Sequence, residues 1–225
     1  MILGQVLGLV LGFADYITEG MFRTTDEAKT KFISFAAGVS VSYLFLILMP
    51  EIYSGALEIN RFLFFSVLIG FATFHLLEKH IRQKETWHDY KKHHELIHEV
   101  MSFVYFLVVG FVIVKLLEYN VTHGILLFIP LLFHIVIDSL PKKVTKHHML
   151  RAFFSSAPFI GALAGSFIAS NKLIDLSLLG LVGGALLYTV VRESLPRERD
   201  GKPIYFVVGV LAFTVLILFL WNGFA

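Results

Sequence analysis

The stretch AGVSVSYLFLILMPE, residues 37–51, resembles a second stretch of the same chain, GGALLYTVVRESLPR, residues 183–197. Both have glycine at the second position, proline at the fourteenth and a tyrosine in the middle, with an acidic residue near the proline. Both lie in long apolar runs. A repeated apolar segment is typical of membrane proteins built from two related halves.

Composition supports a membrane protein. The chain has 225 residues, is 56% hydrophobic and 15% aromatic, and has a mean hydropathy of +0.75. A helix needs about 20 mostly apolar residues to cross a bilayer core of about 30 Å. Eight stretches meet this requirement: 2–19, 31–51, 60–78, 98–118, 121–140, 149–170, 173–193 and 203–222. We therefore expect a single domain, residues 1–225, that is an all-α integral membrane protein with eight transmembrane helices.

The first stretch and the absence of cysteine refine this prediction. The opening residues MILGQVLGLVLGF have no basic segment before them, so we expect a first span and not a removable signal peptide. The chain contains no cysteine, which excludes disulfides and thiolate metal ligands. A bound transition metal would need histidine, carboxylate, hydroxyl, methionine or backbone oxygen ligands.

The basic residues predict the orientation in the membrane. Numbered in chain order, the odd connectors carry sixteen lysines and arginines, while the even side has Arg61, Lys115 and Lys172. Basic residues concentrate in cytoplasmic loops, which places the odd connectors inside and both termini outside. We expect a multi-pass protein of a bacterial or archaeal cell membrane. Because this anchoring accounts for the net charge of +2, nothing points to nucleic acid as a partner.

The predicted orientation gives the internal similarity a direction. Residues 37–51 would run from inside to outside and residues 183–197 from outside to inside. Spans one to three and six to eight would then form a 3+2+3 inverted repeat around spans four and five. Transporters with inverted repeats bind their substrate near the membrane midplane, where the halves meet.

The fifth span contains the main candidate site, in FHIVIDSLPKK, residues 133–143. His134 and Asp138 lie four residues apart and so share one helix face, one turn or more beyond the helix-kinking Pro130. An ionised aspartate costs about 2.5–3.5 kcal/mol near the bilayer centre, so it usually faces a polar cavity or a partner. The pair could bind a divalent cation, relay protons, or form a buried hydrogen bond that fixes helix packing. A metal site needs more ligands, for which Glu193 and Glu51 are candidates.

A second group of histidines lies in the predicted cytoplasmic loop 79–97 and just beyond it: His88, His93, His94 and His98. His94 and His98 would share a face if the helix continued through them. One interpretation is a regulatory, metal-sensing loop. The other is an amphipathic linker lying on the anionic inner leaflet.

Three segments resemble the ZIP (Zrt/Irt-like) family of divalent metal transporters. FAAGVSVSYLFLILMPE, residues 35–51, is similar to the second span of that family, IGFATFHLLEKH, residues 69–80, to the end of its third, and LLYTVVRESLPRE, residues 186–198, to its seventh. The resemblance implies eight helices with a 3+2+3 inverted repeat, outer termini, a His-rich cytoplasmic loop and a homodimer. It also implies a permease that moves zinc, iron or manganese by alternating access. The metal ion would be its substrate, with no cofactor.

The chain departs from the family at the metal ligands. Among the ligand positions that the family has in its fourth and fifth spans, the histidine is retained at position 134, and Asp138 takes the place of a second histidine. The remaining replacements are Tyr105, Val109 and Ile135, with Ile47 in the second span. These losses leave a reduced site of His134, Asp138, Glu193 and Glu51. They also leave two alternatives open, a non-transporting sensor or scaffold and an intramembrane His-dependent metalloenzyme.

Overall fold

The computed structural model describes residues 2–21, 26–84, 91–139, 148–191 and 202–223. Within these ranges the chain is helical, with no strand, which confirms the all-α prediction. The helices are α1 (Ile2–Met21), α2 (Asp26–Tyr43), α3 (Met49–Glu58), α4 (Leu63–Lys84), α5 (Lys91–Tyr119), α6 (Val121–Ser139), α7 (His148–Ser155), α8 (Ala157–Phe167), α9 (Lys172–Thr189) and α10 (Pro203–Gly223). A π-helical segment, Leu44–Leu48, joins α2 to α3.

Several of these helices are suited to a bilayer. Glu27–Glu58, Val100–Tyr119, Lys172–Thr189 and Pro203–Trp221 are long and apolar enough to cross a membrane. Ile2–Thr18, Leu63–Leu77 and Val121–Ile137 are shorter apolar helices. Length and composition therefore indicate a membrane protein. The predicted loop 79–97 differs from the structure at its edges, because α4 continues to residue 84 and α5 begins at residue 91.

The two similar stretches share a departure from α-helical geometry. The Met49 N–H donates to the Leu44 carbonyl five residues earlier, which is the hydrogen bond of a π turn. A π segment also follows α9, at residues 190–191. The two π segments begin at the eighth residue of their stretches, Leu44 and Val190. The sequence similarity therefore extends to the backbone.

Glycines bring α2 and α10 into direct backbone contact. A Cβ atom on Gly38 would overlap the carbonyl oxygen of Phe206 and lie 2.7 Å from the Val210 nitrogen. A Cβ on Gly209 would overlap the Phe35 carbonyl oxygen. The Lys202 N–H donates to the Ser34 hydroxyl, and two turns further along both helices the Ser42 hydroxyl donates to the Val210 carbonyl. Residue numbers therefore rise together along the contact, and the two helices are parallel.

The same arrangement occurs between α9 and α4. A Cβ on Gly184 would overlap the Val67 carbonyl oxygen and lie 2.7 Å from the Phe71 nitrogen, and one on Gly70 would overlap the Leu181 carbonyl oxygen. Positions 67, 70 and 71 correspond to 206, 209 and 210 at one constant offset. Positions 181 and 184 correspond to 35 and 38 at another. The two helix pairs are therefore packed in the same way.

The helices form two groups. The α5 group consists of α1, α5, α6, α7 and α8, in which α5 runs parallel to α8 and α1 runs antiparallel to it. The α9 group consists of α2, the π segment, α3, α4, α9 and α10. Contacts of α6 with α2 and of α5 with α9 join the groups. The connectors 59–62, 120 and 168–171 lie together at what we call the first end.

We expect Gly38→Ala and Gly184→Ala each to destabilise the protein by about 1–3 kcal/mol, because the added methyl group would meet backbone atoms that cannot rotate away. Thermal unfolding in detergent measures the change. Ser177→Ala, on α9 and away from the glycine contact, is the control and should melt like the unaltered protein. Unchanged melting of both glycine variants would contradict this packing.

Candidate functional site

His134 lies on α6 in an aromatic environment. Its side chain is 8% exposed, and its ring meets the Tyr105 ring edge-on with 5.7 Å between centroids. The Phe106 ring lies 6.1 Å away on the same side of α5. Tyr105 and His134 are two of the positions that the family resemblance matched to metal ligands, one on each of two neighbouring helices. The fold brings these positions together, with a tyrosine in place of one histidine.

Both helices face the α9 group at this level. The Phe133 ring, next to His134, packs 5.7 Å from Phe35 on α2. The Tyr105 ring packs 4.9 Å from Phe74 on α4. His134 therefore lies close to the boundary between the two helix groups.

Several predicted site residues lie outside the described part of the chain. The backbone of Asp138 continues α6 one turn beyond His134, but its side chain is not among the described ones. Glu193 and His88 lie wholly outside the described residues. His93, His94 and His98 belong to α5 by their backbone, with side chains outside the described set. Their predicted roles stay predictions.

Glu51 lies far from His134. One of its carboxylate oxygens, Oε2, is 3.2 Å from Nδ1 of His123, at the start of α6. His123 precedes His134 by eleven residues on one helix, which separates them by about 16 Å along the axis at 1.5 Å per residue. Glu51 and His134 therefore cannot hold the same ion in this conformation.

Glu51 and His123 instead line a cavity of about 240 Å³ at the first end. α3, α5, α6 and α9 all contribute to its wall. Two of the lining residues are hydrogen-bonded to each other: the Tyr119 hydroxyl, on α5, donates to Oδ2 of Asp175, on α9, at 3.0 Å. The polar lining residues are Glu51, Lys115, Tyr119, Asn120, His123, Lys172 and Asp175.

The two lysines of this cavity have partners on other residues. Lys115 is 2% exposed, and its ammonium donates to the Ile168 carbonyl at 2.6 Å and to Glu118 at 3.1 Å. Lys172 pairs with Glu58 at 2.6 Å. Glu118 and Glu58 do not line the cavity.

Sequence reasoning singled out Glu51 here but missed Tyr119, His123 and Asp175. A usable signal was present, because Asn120 and Asn171 mark two short connectors on the same predicted side of the membrane. The Asn171 side chain caps α9 by accepting from the Leu173 and Ile174 N–H groups. Ionisable residues within one or two turns of these two connectors, which include Tyr119, His123 and Asp175, must lie at the same end of the helix bundle.

Among the residues that the structure describes, no three His, Asp or Glu side chains come close enough to hold a metal ion. His134 contributes one nitrogen donor, and the side chain of Asp138, one turn further along α6, lies outside the described set. Comparisons with protein-family models and with curated proteins found no match for this chain.

We expect Lys115→Met to lower the free energy of unfolding by about 2 kcal/mol, because it removes the buried, charged donor of the Ile168 carbonyl. Lys172→Met removes an exposed ion pair and should change it by less than about 1 kcal/mol. Thermal unfolding of the two variants side by side measures the difference. Equal effects would show that the Lys115 contact contributes nothing beyond surface charge.

Proposed function

We propose that this chain is a ZIP-like permease that moves a divalent cation, zinc, iron or manganese, by alternating access. The observation that carries the proposal is the buried His134, which lies against Tyr105 at the boundary between two helix groups. An imidazole is a common ligand for these metals. A boundary between two packed groups is where a substrate site can face alternate sides of a membrane.

The matching glycine contacts support the eight-span, 3+2+3 inverted repeat. In a 3+2+3 inverted repeat, span two is equivalent to span seven and span eight to span three. The packed pair α2 and α10 is then equivalent to the packed pair α9 and α4. The two π segments at equivalent positions support the same relation.

Helix directions support the predicted topology. In an eight-span protein, spans two and eight, three and seven, and four and six run the same way, while one and six run oppositely. Here α1, α4, α5, α8, α9 and α10 belong to spans one, three, four, six, seven and eight, and α2 begins span two. The parallel pairs α2 and α10, α4 and α9, and α5 and α8, and the antiparallel pair α1 and α8, follow this pattern. The distribution of basic residues then supports an outer position for the first end, which carries the even connectors.

In the proposed site His134 and Asp138 supply two ligands from one face of α6, with Glu193 as the third. Asp138 supplies negative charge that offsets the loss of hydration of the cation. Waters of the ion complete its coordination, since the protein offers few donors. Glu51 belongs to the outer mouth and not to this site.

The purified protein, reconstituted in liposomes, should take up Zn²⁺, Mn²⁺ or Fe²⁺. We expect Asp138→Ala and His134→Ala each to reduce uptake at least tenfold. Loss of a metal ligand, or of a residue that orients one, typically lowers metal affinity or activity by about this factor. His75→Ala is the matched control, because His75 is an exposed histidine of α4 outside the site, and it should transport normally.

Uptake that persists in Asp138→Ala would contradict the site. The absence of uptake for every divalent ion tested would contradict the function.

The orientation can be tested separately with single cysteines, because the chain has none of its own. Leu57 on α3 is 64% exposed at the first end and Met149 on α7 is 90% exposed at the other. In intact cells, a membrane-impermeant maleimide should label Leu57→Cys and should label Met149→Cys only after permeabilisation. Labelling of Met149→Cys in intact cells would contradict the topology.

A non-transporting sensor or scaffold is the second candidate, favoured by the surroundings of His134. Val109 and Ile135, at two former ligand positions, are fully buried apolar side chains. Calorimetric titration with Zn²⁺ separates the candidates. A lack of binding, together with a stable protein partner in pull-downs, would favour the scaffold.

A further inference from the structure

The boundary between the two helix groups has a distinct polar section at the first end. Among the hydrogen bonds and ion pairs described at that end, two pass between the groups. They are the Glu51–His123 contact, 3.2 Å, and the Tyr119–Asp175 hydrogen bond, 3.0 Å. We call them the two bridges.

Each bridge ends on a side chain that is held firmly within its own group. Asp175 also accepts from the Asn171 N–H at 3.0 Å and is 5% exposed. His123 follows Asn120, whose side chain accepts from the His123 N–H at 3.2 Å. The groups therefore present fixed partners to each other across the cavity.

The contacts between lysine and carboxylate side chains at this end lie inside one group or the other. Lys115 and Glu118, with Ile168 and Ser170, tie α5 to the end of α8. Lys172 and Glu58 tie α9 to α3. Separation of the groups at the first end would leave all of these contacts intact and break only the two bridges and apolar packing.

Deeper in the molecule, aromatic rings pack against each other across the boundary between the groups. Phe133 packs against Phe32 and Phe35, and Tyr105 packs against Phe74. Ring contacts of this kind can slide or separate without leaving a hydrogen-bonding group unpaired. Hydrogen bonds, in contrast, are either made or lost over a fraction of an ångström.

We propose that the two bridges are a gate, which holds the first-end cavity closed toward the His134 level in the state described. When both bridges break, α3 and α9 move away from α5 and α6, and the cavity extends inward along the boundary. The inference rests on the proposed permease function for its purpose, but the opening itself is a property of the fold that can be measured without transport.

The opening can be measured by the distance between spin labels. In the cysteine-free chain, Leu57→Cys on α3 and Val121→Cys on α6 are exposed sites, one on each group at the first end. The bridges are removed by His123→Phe with Tyr119→Phe. The matched control is His75→Phe with Tyr53→Phe, which changes the same residue types at exposed positions outside the bridges.

Double electron–electron resonance on the protein in liposomes should show a second, longer distance in the bridge variant. We expect its population to rise about tenfold over the unaltered protein, the change that follows from losing two hydrogen bonds of ordinary strength. The control pair should leave the distances unchanged. An unchanged distance distribution in a folded bridge variant would overturn the gate.

A lock provides the second measurement. In Glu51→Cys with His123→Cys, a short, reducible bis-methanethiosulfonate cross-link between the two positions should reduce divalent-cation uptake at least tenfold, and reduction of the cross-link should restore it. Uptake that is unaffected by the cross-link would overturn the gate while leaving the permease in place. Absence of uptake in the unaltered protein would refute the permease, and the spin-label distances would still decide the gate.

Discussion

The close approach of parallel backbones at glycine determines most of this architecture. Inside a membrane, helices gain little from hiding apolar side chains from one another, since lipid is equally apolar. They associate where small residues allow backbone atoms to meet. Gly38 and Gly209 do this for α2 and α10, and Gly184 and Gly70 do it for α9 and α4. The α9 group is built on these two equivalent contacts, and the α5 group packs against it.

The polar groups follow from this division. Charges cannot remain unpaired away from water, so the ionisable residues of the described spans collect near the ends of helices or find partners. Lys115 is the clearest case, because its fully buried ammonium caps the end of α8. His134 is buried among aromatic rings at the boundary between the two helix groups. That position, more than its identity as a histidine, makes it the residue to which we assign the proposed function.

The all-α character of the fold and the positions of its apolar helices were predictable from the sequence, and the site only in part. Apolar stretches gave the helix positions, because length and hydropathy decide which segments can cross a bilayer. The repeat between residues 37–51 and 183–197 corresponds to a shared backbone feature. Distances were not predictable: Glu51 was grouped with His134, although its helix carries it to the mouth, beside His123. The family resemblance could not show this, because it assigns each residue to a span but does not say how far along the membrane normal the residue lies.

The π segments have a consequence for how the sequence can change. A π turn holds one residue more than an α turn, so each later side chain is rotated by about 100° relative to an uninterrupted α-helix. Glu51 faces the cavity, one turn after Leu44–Leu48, in a register that includes the extra residue. Deletion of a single residue there would keep the span nearly as long and as apolar, yet turn the carboxylate away from His123. In this stretch the number of residues carries information that composition does not.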